Sequence, residues 1–309
     1  LKALGQRSFD VVLANDASAL PVSLRLSGGA PVLFDAHEYS PREFDDKWWW
    51  RILFGGYYED LCERYLGRVA AMTTVCQGIA EEYAVRYGVQ PFVVYNSPME
   101  QDLHPTPVEP GKVRLVHHGN ALRARRMETM IEMMRHLDDR FSLDFMLMPN
   151  DAAYLAELRH AASGDPRIRF IPPVPMPDIC TALNPYDVGV YLLPPDNFNH
   201  IHALPNKFFE FIQARLAVAI GPSPEMARLL REHSCGVTAE SFEPRALAAT
   251  LSALTSAALQ RLKTASHDAA RALSYERSAQ TLLDQIDRIA SSASVNEDPD
   301  RRRRSAAVH

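Results

Sequence analysis

Leu115-Val116-His117-His118-Gly119-Asn120-Ala121-Leu122-Arg123-Ala124-Arg125-Arg126 runs from an apolar segment into a glycine turn and out through three arginines. A helical pattern starts near Glu128, so the stretch reads as strand, turn and helix. Glycine permits a tight turn and a close approach of the backbone to a ligand. Free N–H groups, guanidinium forks and a helix dipole at such a junction suit an anion, most naturally a diphosphate. A solvated basic loop that neutralises nearby acids fits the same spacing.

The same alternation continues outward from this stretch. Short apolar, β-branched runs at 11–15, 32–35, 71–75, 92–96, 114–118, 143–148, 168–171, 188–193, 217–221 and 236–238 predict strands. Helical periodicity at 128–137, 152–162, 207–215 and 225–232 separates many of them. Repeated strand–helix–strand units predict parallel sheets wrapped by helices, and 309 residues fit two such sheets better than one of ten strands.

A second junction is Ala203-Leu204-Pro205-Asn206-Lys207-Phe208-Phe209-Glu210-Phe211-Ile212. Pro205-Asn206 introduces a helix whose Phe208, Phe211 and Ile212 take core-facing spacing, with Lys207 and Glu210 neighbours on another face. A cation in the first turn opposes the dipole unless an anion sits there too. Glu210 can accept two hydroxyl hydrogen bonds, as a ribose diol offers. An intrahelical Lys–Glu pair is the alternative.

Lys and Arg number 33 against 38 Asp and Glu, a net charge of −5, so no basic excess points to nucleic acid. The longest uncharged stretch, 246–260, is too short and too polar for a membrane span. Cys62, Cys76, Cys180 and Cys235 form no CxxC pair and are expected to be reduced, partly buried thiols. The first residues have neither an apolar signal-peptide core nor an initiator Met, which suggests a processed or truncated product. A cytoplasmic location is expected, with peripheral contact at the inner face of a membrane as its variant.

Three prolines in Leu103-His104-Pro105-Thr106-Pro107-Val108-Glu109-Pro110-Gly111, with Pro98 just before, predict an extended linker. The expected domains are 1–104, 105–273, a C-terminal helix over 274–290 and a disordered tail over 291–309. Arg301–304 in that tail is expected to be solvated rather than bound to phosphate or lipid.

Together these segments resemble the nucleotide-sugar glycosyltransferases of the two-Rossmann-domain (GT-B) architecture, specifically the large retaining family 4. Pro205-Asn206-Lys207-Phe208-Phe209-Glu210-Phe211, the strand after it and Ser223-Pro224-Glu225-Met226 are similar to that family's donor-binding segment. His118-Gly119-Asn120 with Arg125 is similar to its glycine turn and basic phosphate ligand, and Phe170-Ile171-Pro172-Pro173-Val174-Pro175 to the loop whose backbone reads the base. Phe34-Asp35-Ala36-His37-Glu38-Tyr39 resembles its Asp-x-His-Glu motif, Val94-Tyr95-Asn96-Ser97-Pro98 its hinge, and Ser274-Tyr275-Glu276 the start of a helix crossing back to the first domain.

The resemblance implies an α/β fold of two Rossmann-like domains facing across a cleft, the first incomplete. It also implies transfer of a sugar from a nucleotide-diphosphate sugar, with retention, to a carbohydrate, lipid-linked or small-molecule acceptor. Gly119, Asn120, Arg123, Arg125, Val174, Leu204, Asn206, Lys207 and Glu210 would bind the donor, and His37, beside Glu38, would position the acceptor or the sugar; a structural His–Glu pair is the alternative for His37. No cofactor, metal or nucleic acid is expected, because the one Asp-x-Asp, Asp298-Pro-Asp300, lies in the tail.

The family's Glu-x7-Glu pattern is broken, because His202 stands eight residues before Glu210. His202 is expected to be an ordinary loop histidine, with hydrogen bonding in place of the missing carboxylate as the alternative. His200-x-His202 has no third metal ligand at useful spacing. Trp48-Trp49-Trp50 with Phe54, Tyr57 and Tyr58 is assigned to core packing and an acceptor-pocket wall, against a peripheral membrane contact. An epimerase or hydrolase of the same architecture, or a non-catalytic nucleotide-sugar-binding scaffold, are the competing functions.

Overall fold

A computed structural model describes residues 8–295. The described residues form two compact units, one comprising residues 8–95, Asn197–Asn199 and residues 278–295, the other Asn96–Asp196 and His200–Arg277.

The first unit opens with β1 (Val12–Asn15), α1 (Leu20–Leu26) and β2 (Val32–Ala36). A helical run follows as α2 (Trp48–Trp50), a π-helical stretch Arg51–Gly55 and α3 (Gly56–Tyr65). Then come β3 (Ala71–Thr74), α4 (Gln77–Tyr87) and β4 (Phe92–Val93). The four strands form one parallel sheet in the order β1-β2-β3-β4. β2 is buried on both faces, as a helix-covered parallel strand requires.

The second unit contains β5 (Val113–Asn120), α5 (Glu128–Met134), β6 (Phe141–Met148), α6 (Ala152–Ala162), β7 (Ile168–Ile171), α7 (Ile179–Leu183) and β8 (Val188–Tyr191). After α8 (Phe198–Ile201), whose first turn groups with the first unit, come α9 (Asn206–Gln213), β9 (Ala217–Ile220), α10 (Pro224–His233), β10 (Gly236–Thr238), α11 (Pro244–Ser252) and α12 (Ser256–Ala270). Its six strands are parallel in the order β10-β9-β8-β5-β6-β7. That is the doubly wound Rossmann order, with its reversal between β5 and β8. Leu115, Leu143, Phe145, Val190 and Ala219 from the strands share one core with Met130, Met134 and Leu247 from the helices.

All ten predicted strands form. The division between units falls at Tyr95–Asn96 rather than near residue 105. The proline-rich segment is extended, but it is strapped to the second unit. Gln101 N–H donates to Gln213 (3.1 Å), Arg215 donates to the Gln101 and Leu103 carbonyls (2.5 and 3.1 Å), and Val108 N–H donates to Gln260 (3.0 Å). Prolines exclude a ladder but leave the neighbouring N–H groups and carbonyls to bond elsewhere.

α13 spans Tyr275–Val295, so helix continues past the expected start of a tail at residue 291. Within its last turns the Ser292 hydroxyl donates back to the Arg288 carbonyl (2.8 Å), which a serine can do without leaving the helix. Residues 296–309, with Arg301–304 and Asp298-Pro-Asp300, lie outside the described residues, as do residues 1–7. The four cysteines are buried and form no disulfide. Among the described residues no helix is long and apolar enough to cross a membrane.

Candidate functional site

In an open α/β sheet the strand-order reversal leaves a crevice at the carboxyl ends of the two flanking strands. Here those strands are β5, ending at Gly119-Asn120, and β8, ending at Tyr191. Gly119 has φ +124°, a conformation side chains rarely adopt, and a Cβ there would lie 2.9 Å from Lys207 Nζ. Glycine is therefore required both by the turn and by the lysine that crosses it.

Lys207 enters from the first turn of α9, which Pro205 precedes and Asn206 opens. Three phenylalanines, Phe208, Phe209 and Phe211, anchor that short helix in the core and leave Lys207 and Glu210 on its other face. His117 Nδ1 donates to the Val190 carbonyl (2.8 Å), leaving Nε2 to accept from Lys207 Nζ at 3.2 Å. Burial, then the charge of Lys207, hold the His117 ring well below its ordinary pKa, so it is neutral. His117 stacks on Tyr191 at 6.2 Å, and Lys207 Nζ stands 5.4 Å above that Tyr191 ring.

Arg125 completes the group by donating to the Tyr191 hydroxyl at 3.3 Å. The Lys207 residue is partly exposed, yet its nitrogen is densely surrounded, and that desolvation, aided by the charge of Arg125, lowers its pKa to about 7. Arg125 and Lys207 thus meet at Tyr191, and Lys207 also lies against the glycine turn. Glu210 is also raised by burial, with Lys207 opposing. Its Oε2 lies 3.2 Å from Nε2 of His118, whose pKa burial and then Lys207 depress to about 3. His118 Nε2 is buried without an aligned hydrogen-bond partner, so Glu210 retains its acceptor capacity.

Gly119, Arg125, Lys207 and Glu210 therefore come together as the sequence predicts. Asn120 is exposed at the end of β5 and Asn206 is exposed at the start of α9; Leu204 just before it and Val174 beyond β7 are partly buried. Arg123 departs from expectation. Its guanidinium is committed to Glu157 through paired bonds of 2.6 and 2.9 Å on the exposed flank of α6, because a planar fork takes a carboxylate bidentately. His37 also differs: its exposed ring pairs with Asp35 (3.0 Å), not Glu38, since alternation along β2 sends residues two apart to the same side.

Two members escaped sequence reasoning. His117 and Tyr191 build the floor under Lys207, and only the pairing of β5 with β8 makes them neighbours. His202, in the turn between α8 and α9, has its Nδ1 3.3 Å from Oε1 of Glu225, a buried carboxylate in the first turn of α10. His200 Nδ1 pairs with Asp196. Among the described residues no cluster of three or more ligating side chains is placed to hold a metal. A recess of about 560 Å³ near Arg135 and Asp139 lies at the opposite, amino-terminal end of the strands, where Arg167 is already paired with Asp165 at 2.7 Å.

No protein-family model matches the chain, and no curated protein matches it. Solved structures do. A mutant S. aureus TarM in complex with fondaparinux, α-GlcNAc-glycerol and UDP superposes with a TM-score of 0.68 at 11% identity, over 92% of this chain and 57% of TarM. Anabaena HepE in complex with UDP gives 0.70 at 14% identity, over 90% of this chain and 79% of HepE. Thermosynechococcus elongatus sucrose-phosphate synthase gives 0.72 at 13% identity, over 92% and 74%. The chain thus spans little more than half the length of TarM. Its mixed α/β fold, with two parallel sheets, is that of the GT-B glycosyltransferases.

Proposed function

We propose that this chain binds a nucleotide-diphosphate sugar and transfers the sugar to an acceptor, as a retaining glycosyltransferase of the family 4 type that needs no metal. The observation that carries the reading is the gathering of Arg125 and Lys207 on Tyr191 at the strand-order reversal, with Lys207 lying against Gly119. The Arg125 guanidinium and a Lys207 amine that a bound anion would hold protonated suit a diphosphate, and they would stabilise the charge that grows on the leaving phosphate. Gly119 and Asn120 amides would hold phosphate oxygens, Glu210 the ribose hydroxyls, and the backbone near Val174 the base. Leu204 and Asn206 would shape the entrance at the start of α9.

Retention would follow if the acceptor attacks from the face the phosphate leaves, with a phosphate oxygen taking the acceptor's proton. In the first unit, His37 held by Asp35 is the proposed acceptor-positioning group, and the acceptor class is a hydroxyl-bearing carbohydrate, lipid-linked sugar or small molecule. HepE was also solved with UDP-glucose, which supports testing uridine donors first. We place the activity in the cytoplasm.

A thermal-shift panel of UDP-, GDP- and ADP-sugars tests the binding step. One nucleotide class should raise the melting temperature, because a ligand at a hundredfold its Kd stabilises by about 2.7 kcal/mol. Lys207→Ala and Glu210→Ala should abolish most of the shift; equal shifts in wild type and both variants would remove the site. Undiminished turnover in EDTA checks metal independence. A second reading, a nucleotide-sugar-binding protein without turnover, is favoured by His202 standing where the resemblance expects a carboxylate. Saturable binding with no sugar transfer or donor hydrolysis would establish it.

A further inference from the structure

The helical run from Trp48 to Tyr65 presents an unusual surface. Trp48 is 67% exposed, Ile52 73% and Leu53 65%, and Trp49, Phe54 and Tyr57 are exposed beside them. Trp50, with half-buried Tyr58 against it, follows the core-packing expectation. It is buried, stacks on Tyr58 at 5.9 Å and meets Phe44 edge-on at 6.0 Å, so one tryptophan pins the run while its neighbours face outward. Scattered apolar side chains on a surface need no explanation, but six within ten residues mark a contact surface.

The charges within the patch have one sign. Between Lys47 and Tyr58 the sequence has two cations, Lys47 and Arg51, one helical turn apart, and no acid. Among the described residues neither is in an ion pair with a carboxylate; of the flanking acids Asp45 pairs with Arg42 at 2.7 Å, Asp46 meets the Asn197 amide at 3.3 Å and Asp60 pairs with Arg64 at 2.7 Å, while Glu43 and Glu59 flank the patch in sequence. Lys47 Nζ rides 4.5 Å above the Phe44 ring and 6.0 Å from the centre of Trp49. Exposed tryptophans and aliphatics fringed by cations are the chemistry of an interfacial helix, with rings at headgroup depth and cations on lipid phosphates. A second copy fits less well, because a two-fold contact would set Lys47 and Arg51 against their own equivalents with no acid in the patch to neutralise them.

We propose that the face formed by Trp48, Trp49, Ile52, Leu53, Phe54 and Tyr57, with Lys47 and Arg51, docks in the plane of an anionic phospholipid surface. The inference stands on the first unit alone and does not depend on the nucleotide site.

The three tryptophans of the chain are Trp48, Trp49 and Trp50, so intrinsic fluorescence reports on this patch alone. The full chain is titrated with vesicles of phosphatidylcholine containing phosphatidylglycerol, and partition is read by sedimentation and by quenching with brominated lipid. The expected result is binding that weakens with salt, a blue-shifted emission and strong quenching. Ile52→Ser with Leu53→Ser should weaken partition at least about tenfold, and Lys47→Gln with Arg51→Gln about thirtyfold. Unchanged circular dichroism and urea midpoints would show that these exposed positions were changed without unfolding. Absence of vesicle binding by the wild type at low salt overturns the proposal, as does equal binding by wild type and both variants. Concentration-dependent dimers that Ile52→Ser with Leu53→Ser dissolves, in a chain that ignores vesicles, would assign the face to a second copy.

Discussion

Lys207 changes charge near neutrality because its nitrogen is desolvated and faces Arg125. At pH 8 the free chain therefore holds it mostly neutral, whereas a bound diphosphate favours the ammonium. Binding should take up close to one proton at that pH, and affinity should fall up to tenfold per pH unit above about 7. Calorimetry in buffers of different ionisation enthalpy measures the uptake. Lys207→Arg, charged throughout, should remove it. Gly119→Ala tests the turn: the left-handed backbone costs about 1–3 kcal/mol for a side chain, and the new methyl displaces Lys207 Nζ. Nucleotide affinity should drop more than stability, as titration set beside urea unfolding would show. Gly119, Arg125, Lys207 and Glu210 were legible because glycine, cations and a helix start are local signals. Arg123 was not, since nothing in its neighbourhood of sequence names Glu157 as a partner 34 residues away.

At the scale of elements, the position of α9 decides whether Lys207 reaches the turn. Gly189 on β8 permits it: a Cβ there would stand 2.2 Å from the Phe211 ring. Gly189→Ala should cost about 1–3 kcal/mol through overpacking, and should also weaken nucleotide binding, although residue 189 touches no proposed ligand. An ion pair secures the base of the same layer. Lys263 of α12 is sealed from solvent, 3.2 Å from the equally buried Asp187, and donates to Thr106 and the Tyr186 carbonyl at 2.9 and 2.7 Å. Arg114 holds the same carboxylate through its backbone and guanidinium. Removing the carboxylate with Asp187→Ala strands a buried cation and should destabilise by about 3–5 kcal/mol in urea unfolding. Helix and strand positions follow from hydrophobic period, but the composition of the aromatic run after Lys47 suits core packing and an acceptor-pocket wall alike. Only the helical rotation around Trp50 shows which rings face out.

For the molecule as a whole, the partition of the chain into units follows hydrogen bonds rather than composition. Prolines around residue 105 suggest a free connector, yet the segment is tied to the second unit by Gln213, Arg215 and Gln260. Hydrogen exchange should therefore find the Gln101 and Val108 amides protected along with the second sheet, and Gln213→Ala should release Gln101. Sequence by itself determined the two parallel α/β sheets, their ten strands and the glycine–arginine and lysine–glutamate junctions. Alternating apolar runs and turn residues act over a few positions and need no partner to be recognised. Tertiary structure alone decided that β5 lies beside β8, that His117 and Tyr191 floor the lysine, and that His202 meets Glu225. Those contacts join residues 23 to 90 positions apart, where chain folding, not local preference, sets who touches whom.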